Sequence, residues 1–136
     1  MIDIIEIKIP SEARFLKIIR AAVKHICETM GFIEEDVNNI TLAVDEACSN
    51  IIKHAYCGPT DQPIHITCNL YDDRLEVLLR DFGKKVNIKN IKPRKLDDVR
   101  PGGLGVHLIK TVMDIVRYDN SFDQGNQLQL VKYLRK

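Results

Sequence analysis

The chain opens with Ile2, Ile4, Ile5, Ile7 and Ile9 set among charged residues, a near-alternating pattern that stops at Pro10. Period-two alternation marks a strand, so the first element is expected to be one. Ser11 carries a side-chain oxygen suited to a helix N-cap. Beyond it Phe15, Leu16, Ile19, Ala22, Val23, Ile26 and Met30 recur at helical spacing until Gly31 stops the run. Lys17, Arg20, Lys24 and Glu28 lie off that stripe, on a solvated face or one that meets a partner.

Glu34, Glu35 and Asp36 complement the dipole of a second helix start. Its core stripe is Val37, Ile40, Val44, Ala47, Cys48, Ile51 and Ala55, and the breaker pair Gly58-Pro59 ends it. Two apolar runs, 64–71 and 75–79, flank Asp72-Asp73-Arg74 and predict a hairpin. Residues 84–101 then lose the pattern and collect Lys84, Lys85, Lys89, Lys92, Arg94, Lys95 and Arg100, with Pro93 and Pro101. A loop of that length inside a compact domain is a candidate lid. Gly102-Gly103-Leu104-Gly105 leads into a third helix carrying Val106, Leu108, Ile109, Val112, Met113 and Val116. A final hairpin is expected from residues 115–118, a turn through Asp123-Gln124-Gly125-Asn126, and Leu128, Leu130, Tyr133 and Leu134. The order strand, helix, helix, two strands, lid, helix, two strands implies an α+β two-layer sandwich, helices on one face of a mixed, mostly antiparallel sheet.

Composition narrows the function classes. The 136 residues, 45% hydrophobic, suit a single domain over 1–136. A net charge of +1 argues against the positive field of a direct nucleic-acid binder. No apolar run of about 18 residues and no basic-then-apolar leader is present, so the expectation is a soluble, cytoplasmic protein rather than a membrane one. Cys27, Cys48, Cys57 and Cys68 form no CxxC and fall mostly in apolar periodic segments, as reduced buried thiols do. His54-x-x-Cys57 and His65-x-x-Cys68 would make a zinc-compatible set. Residues three apart on a strand point to opposite faces, however, which separates His65 from Cys68.

Three polar features stand at the ends of apolar elements. Glu46, Asn50 and His54 recur every four residues on the second helix. On helical spacing Glu46 and Asn50 project away from the core stripe, as a solvated polar face does. The same pair has chemical uses: an Asn carbonyl oxygen is a neutral hard ligand for Mg²⁺, and a carboxylate one turn away can take a proton from a hydroxyl. Arg80-Asp81-Phe82-Gly83 sits where a strand runs out into the lid. A carboxylate only accepts hydrogen bonds, so Asp81 can read an exocyclic amine, and Gly83 permits close backbone approach; a plain strand-end turn has the same appearance. Pro101-Gly102-Gly103-Leu104-Gly105-Val106 opens a helix, whose free N–H groups attract phosphate, although a glycine cluster also makes a hinge.

The ordered set is more specific than its parts: a Glu/Asn helix, a strand ending in Asp-x-Gly, a basic lid, then Gly-x-Gly opening a helix. It resembles the N-box, G1 box and G2 box of the histidine-kinase-like ATPase superfamily. The stretches from Glu46 to Tyr56, from Gly103 to Asp114 and from Val131 to Leu134 resemble the small bacterial anti-sigma-factor serine/threonine kinases. The resemblance implies ATP and Mg²⁺ as cofactors, with residues 84–101 as the ATP lid. It implies that Asn50 holds Mg²⁺, that Glu46 activates the attacking hydroxyl, and that Asp81 binds adenine. Gly83 would line the nucleotide site, Gly103 and Gly105 would cradle phosphates, and Lys53, His54, Gly102, Leu104, Val106 and Asn126 would complete the binding set. The implied partners are an anti-anti-sigma factor as phosphoacceptor and an RNA polymerase sigma factor, held by a homodimer, with Arg20 at the partner interface. Two positions depart from the family pattern: Lys85 replaces the second glycine of Asp-x-Gly-x-Gly, and Asn126 follows Gly125 where threonine is common. They leave open a second reading, an ATPase-fold protein that regulates by binding alone.

Overall fold

The computed structural model describes residues 2–85 and 105–135, with side chains from 108 onward in the second stretch. Its elements are β1 (Asp3–Ser11), a 3-10 turn (Ala13–Phe15), α1 (Leu16–Met30), α2 (Glu34–Asn50), a π-turn (Ile51–Ala55), β2 (Thr60–Leu70), β3 (Arg74–Asp81), α3 (Gly105–Val112), β4 (Ile115–Asp119) and β5 (Asn126–Tyr133). The strands form one sheet in the order β1-β2-β3-β5-β4. Each neighbouring pair is antiparallel, with Ile7 opposite Ile66, Cys68 opposite Val77 and Val77 opposite Leu130.

Strand alternation explains the layering. On β3 Leu75, Val77, Leu79 and Asp81 are buried, and the residues between them are partly exposed. The buried rows of β2, β3 and β5 meet Ile19, Val23 and Ile26 of α1 and Ile40, Val44 and Ala47 of α2 in one apolar core. α2 packs against both α1 and α3, so it is the central helix over the sheet. The other sheet face carries a polar cluster: Glu76 accepts hydrogen bonds from Asn69 at 2.8 Å and Gln129 at 2.7 Å across three strands.

Three local expectations are corrected. Ser11 does not cap a helix: it is the last residue of β1, paired with Thr60 past a register shift at Pro10, and α1 begins only at Leu16. Strand pairing has taken the residue the helix would have used. Val116 is not part of the third helix. The helix gives way after Val112, the Asp114 N–H bonds to the Val131 carbonyl, and Val116 pairs with Leu130 in β4. The second helix, finally, is not α-helical to its end. From Ile51 it widens into a π-turn, closed by the Tyr56 N–H on the Ile51 carbonyl at 3.0 Å.

The residue four beyond Ala55 is Pro59, which has no N–H to give. The Ala55 carbonyl instead accepts the Lys84 N–H at 2.8 Å, binding the helix end to the segment after β3. Gly83 sits in the same junction, where a Cβ would run into the Ala55 carbonyl. π-turns inside helices occur frequently at functional sites, and Ile51, His54 and Ala55 of this one line a pocket.

Candidate functional site

Asp81 ends β3 and Asn126 begins β5, and the two are opposite each other in the strand register. Both side chains point inward and are buried, at 2% and 5% exposure. The Asn126 Nδ2 donates to Asp81 Oδ1 at 3.1 Å and lies 3.4 Å from Oδ2, and it also reaches the Lys84 carbonyl at 3.0 Å. Asp81 Oδ1 further accepts the Gly83 N–H at 3.0 Å. Burial pushes the Asp81 carboxyl above its ordinary value, and the bonds from Gly83 and Asn126 and the charge of Arg80 pull the other way.

The end of α2 completes the site. Asn50, Ile51, His54 and Ala55 line a narrow pocket with Leu79 and Asp81 of β3, Tyr118 of β4, and Asn126 and Leu128 of β5. Asn50 is 8% exposed, and neither its Oδ1 nor its Nδ2 has a hydrogen-bond partner among the described residues. A buried amide left in that state costs about 1–3 kcal/mol. The predominantly apolar wall with a few converging polar groups is the usual make-up of a small-molecule site.

The burial of Asn50 overturns the expectation that it sits on a solvated face. Ala43 lies two turns earlier and within about 20° on the helix, and it is fully buried. The stripe from Val37 to Ala55 omits Ala43; counting that residue places Asn50 at the stripe's edge. Glu46 is half-buried one turn before Asn50 and outside the pocket lining. His54 is exposed yet reaches the pocket rim, whereas Lys53 is exposed and does not line it.

A second, more open hollow adjoins the first at Ala55 and is lined by Tyr56, Phe82, Gly83, Lys84, Lys85 and Gln124, among others. Lys85, in the place of the family's glycine, is exposed there and does not line the Asp81 pocket. Tyr56, which no spacing in the sequence singles out, braces the wall: its hydroxyl donates to the Pro63 carbonyl at 2.6 Å and accepts the Phe82 N–H at 2.9 Å. Tyr118 escapes sequence reasoning too, because one aromatic on a short edge strand carries no signal until its neighbours are known. Arg20 is exposed on α1 and donates to Asp45 of α2 at 2.7 Å, beside Glu46. Gly102, Gly103, Leu104 and the lid beyond Lys85 lie outside the described residues. Gly105 and Val106 belong to the first turn of α3.

A sandwich whose central helix and strand ends enclose a buried carboxylate and an amide with no partner among the described residues defines a class, the two-layer α+β domain. Known proteins narrow it. The sequence pattern of the histidine kinase-like ATPase domain matches residues 9–132. Serine-protein kinase RsbW of a Bacillus cereus strain is 33% identical over 140 residues, spanning 97% of this chain and 86% of the relative. The same protein of Bacillus thuringiensis subsp. konkukian matches equally. The crystal structure of RsbU and RsbW domains from Mycobacterium tuberculosis superposes with a TM-score of 0.72 at 15% identity, over 98% of this chain and 33% of that longer one. The histidine kinase domain of a blue-light activated histidine kinase of Erythrobacter litoralis gives 0.57 at 18% identity, over 92% and 61% of the two chains. This chain belongs to the histidine kinase-like ATPase family and, within it, to the group of the RsbW serine-protein kinases.

Proposed function

We propose that this protein is a Mg-ATP-dependent protein serine/threonine kinase and anti-sigma factor: it phosphorylates an anti-anti-sigma protein and sequesters a sigma factor. The observation that carries the reading is the buried amide of Asn50, without a partner among the described residues, in the same pocket as the Asp81 carboxylate. One end of that pocket offers a hard oxygen ligand, and the other an acceptor for a base amine.

In this reading Asp81 accepts the exocyclic amine of adenine, and Leu79 and Leu128 lie against the base. Asn50 would hold Mg²⁺ through Oδ1; bound there, the ion neutralises charge on the phosphates. The Glu46 carboxylate takes the proton of the acceptor hydroxyl as its oxygen bonds to the γ-phosphorus. The bond from that phosphorus to the β–γ bridging oxygen breaks, and ADP leaves. Gly102, Gly103 and Gly105 are proposed to meet the phosphates at the start of α3, with Leu104, Val106, Lys53 and His54 around them.

Arg20 is proposed as a partner contact. It is half exposed, and its ion pair with Asp45 joins the surface of α1 to the residue beside Glu46. A homodimer working in the cytoplasm is the form that the family resemblance implies. Among the described residues no helix is long and apolar enough to cross a membrane.

The test is titration of wild type and Asn50→Ala with Mg-ATP, followed by phosphate transfer to a small acceptor protein encoded beside it. Wild type should bind and transfer, and Asn50→Ala should lose Mg-dependent binding. Absence of ATP binding by wild type would sink the reading. Binding without transfer to any cognate acceptor would favour the regulator that acts by binding alone, the alternative raised by Lys85 and Asn126.

A further inference from the structure

Arg80 precedes Asp81 on β3, so the two side chains leave opposite faces of the sheet: Asp81 inward to the pocket, Arg80 outward. The Arg80 guanidinium lies between two aromatic rings, 4.5 Å from the centroid of Phe82 and 4.0 Å from that of Phe122. Held there, its Nη1 donates to the backbone carbonyls of Asp81 and of Asn126, the latter at 3.2 Å, and its Nη2 donates to the Gln124 carbonyl at 2.8 Å. Gln124 returns a bond from Nε2 to the Phe82 carbonyl at 2.8 Å. One planar fork thus ties the end of β3 to the connection that leads into β5. A compact ammonium could not serve three separated carbonyls in this way.

The geometry points to Arg80 as a positioning residue for base recognition: from behind the sheet it sets the backbone of Asp81 and Asn126, and with it the direction in which the Asp81 carboxylate faces a base amine. This rests on the reading of the Asp81 pocket as the adenine site. A recognition group displaced by about 1 Å loses much of its effect, so a residue that touches no ligand can still govern selectivity. The Arg80 charge also counters the burial that disfavours ionised Asp81.

The experiment compares Mg-ATP with Mg-inosine triphosphate, which carries a carbonyl where adenine carries its amine. Affinities are measured for wild type, Arg80→Gln, Asp81→Asn and the double variant. Wild type should prefer ATP. Arg80→Gln should weaken ATP about ten-fold and change inosine triphosphate less than about two-fold, because only the amine contact depends on the carboxylate's direction. In the Asp81→Asn background the same change should have no further effect on ATP. Phe122→Leu loosens the stacked guanidinium without removing a donor, and should weaken ATP about three-fold with the same selectivity. It serves as the probe if Arg80→Gln does not fold. Equal loss for both nucleotides, or an undiminished effect in the Asp81→Asn background, overturns the proposal. Wild type that binds ATP and inosine triphosphate alike overturns the adenine-site reading together with it. Wild type that discriminates, alongside an Arg80→Gln that discriminates equally well, overturns the role of Arg80 alone.

Discussion

Asn126 Nδ2 sits 3.1 Å from Asp81 Oδ1 and 3.4 Å from Oδ2, one amide facing a carboxylate across two adjacent strand ends. The pair has no sequence proximity; register alone makes it. Burial dominates the titration of Asp81 and raises its carboxyl above the ordinary value. Between the unfolded and folded values the native state binds more protons than the unfolded chain. The stability this group contributes is therefore greatest below the unfolded value and falls as pH rises through the folded one. Thermal unfolding of Asp81→Asn and wild type should show the variant at its greatest relative advantage near neutral pH, shrinking as the solution is acidified through the carboxylate range. An advantage that grew on acidification would contradict the assigned cause.

Nucleotide binding should follow the same ionisation in the opposite sense. Protonated Asp81 offers a poorer acceptor to an amine, so ATP affinity should drop on acidification with a midpoint above the ordinary carboxylate value. Calorimetric titrations from about pH 4 to about pH 8 would show it, and Asp81→Asn should flatten the dependence.

Gly83 and Gly125 tolerate no side chain, for different reasons. A Cβ on Gly83 meets the Ala55 carbonyl, and Gly125 combines φ of +80° with a Cβ that meets the Asp81 carbonyl. Gly125→Ala should cost more than about 1 kcal/mol in chemical denaturation, since strain and collision add. Gly83→Ala should separate the helix end from the segment after β3 and weaken ATP more than it lowers the denaturation midpoint. Unchanged ATP affinity in a folded Gly83→Ala protein would show that this junction does not shape the pocket.

The four thiols should divide by reactivity. Burial lifts Cys27 to about 12 and Cys68 to about 11, and raises Cys48 further still. Cys57 is exposed. Thiolate is the reactive form, so a disulfide reagent at about pH 8 should modify one thiol of the native protein quickly and the other three only on unfolding. Protection of Cys57, or fast labelling of a second thiol, would be inconsistent with this packing.

Core truncation offers a control away from the site. Ile40 is fully buried on the face of α2 that meets the sheet layer. Ile40→Ala should cost about 2–5 kcal/mol, read as a lower denaturant midpoint, with nucleotide selectivity unchanged in the folded fraction.

Much of this protein is legible in its residue order. Alternation in the first isoleucines and in β3 and β5, helical spacing from Leu16 and from Val37, and the breaks at Gly31 and Gly58-Pro59 specify the elements, because burial on one face imposes a period that local sequence must repeat. The spacing of Glu46 and Asn50 and the strand-end place of Asp81 also set these polar residues apart. Only the tertiary structure decided which of them meet. Asn50 at the end of α2 shares a pocket with residues of β3, β4 and β5, and Asp81 found Asn126 through strand register over 45 residues of separation. Pro59 withholds an N–H from the Ala55 carbonyl, but only the fold shows that Lys84, on another element, supplies one instead. Periodicity reports which face is buried; it carries no record of what lies opposite, and a binding site is made of what lies opposite.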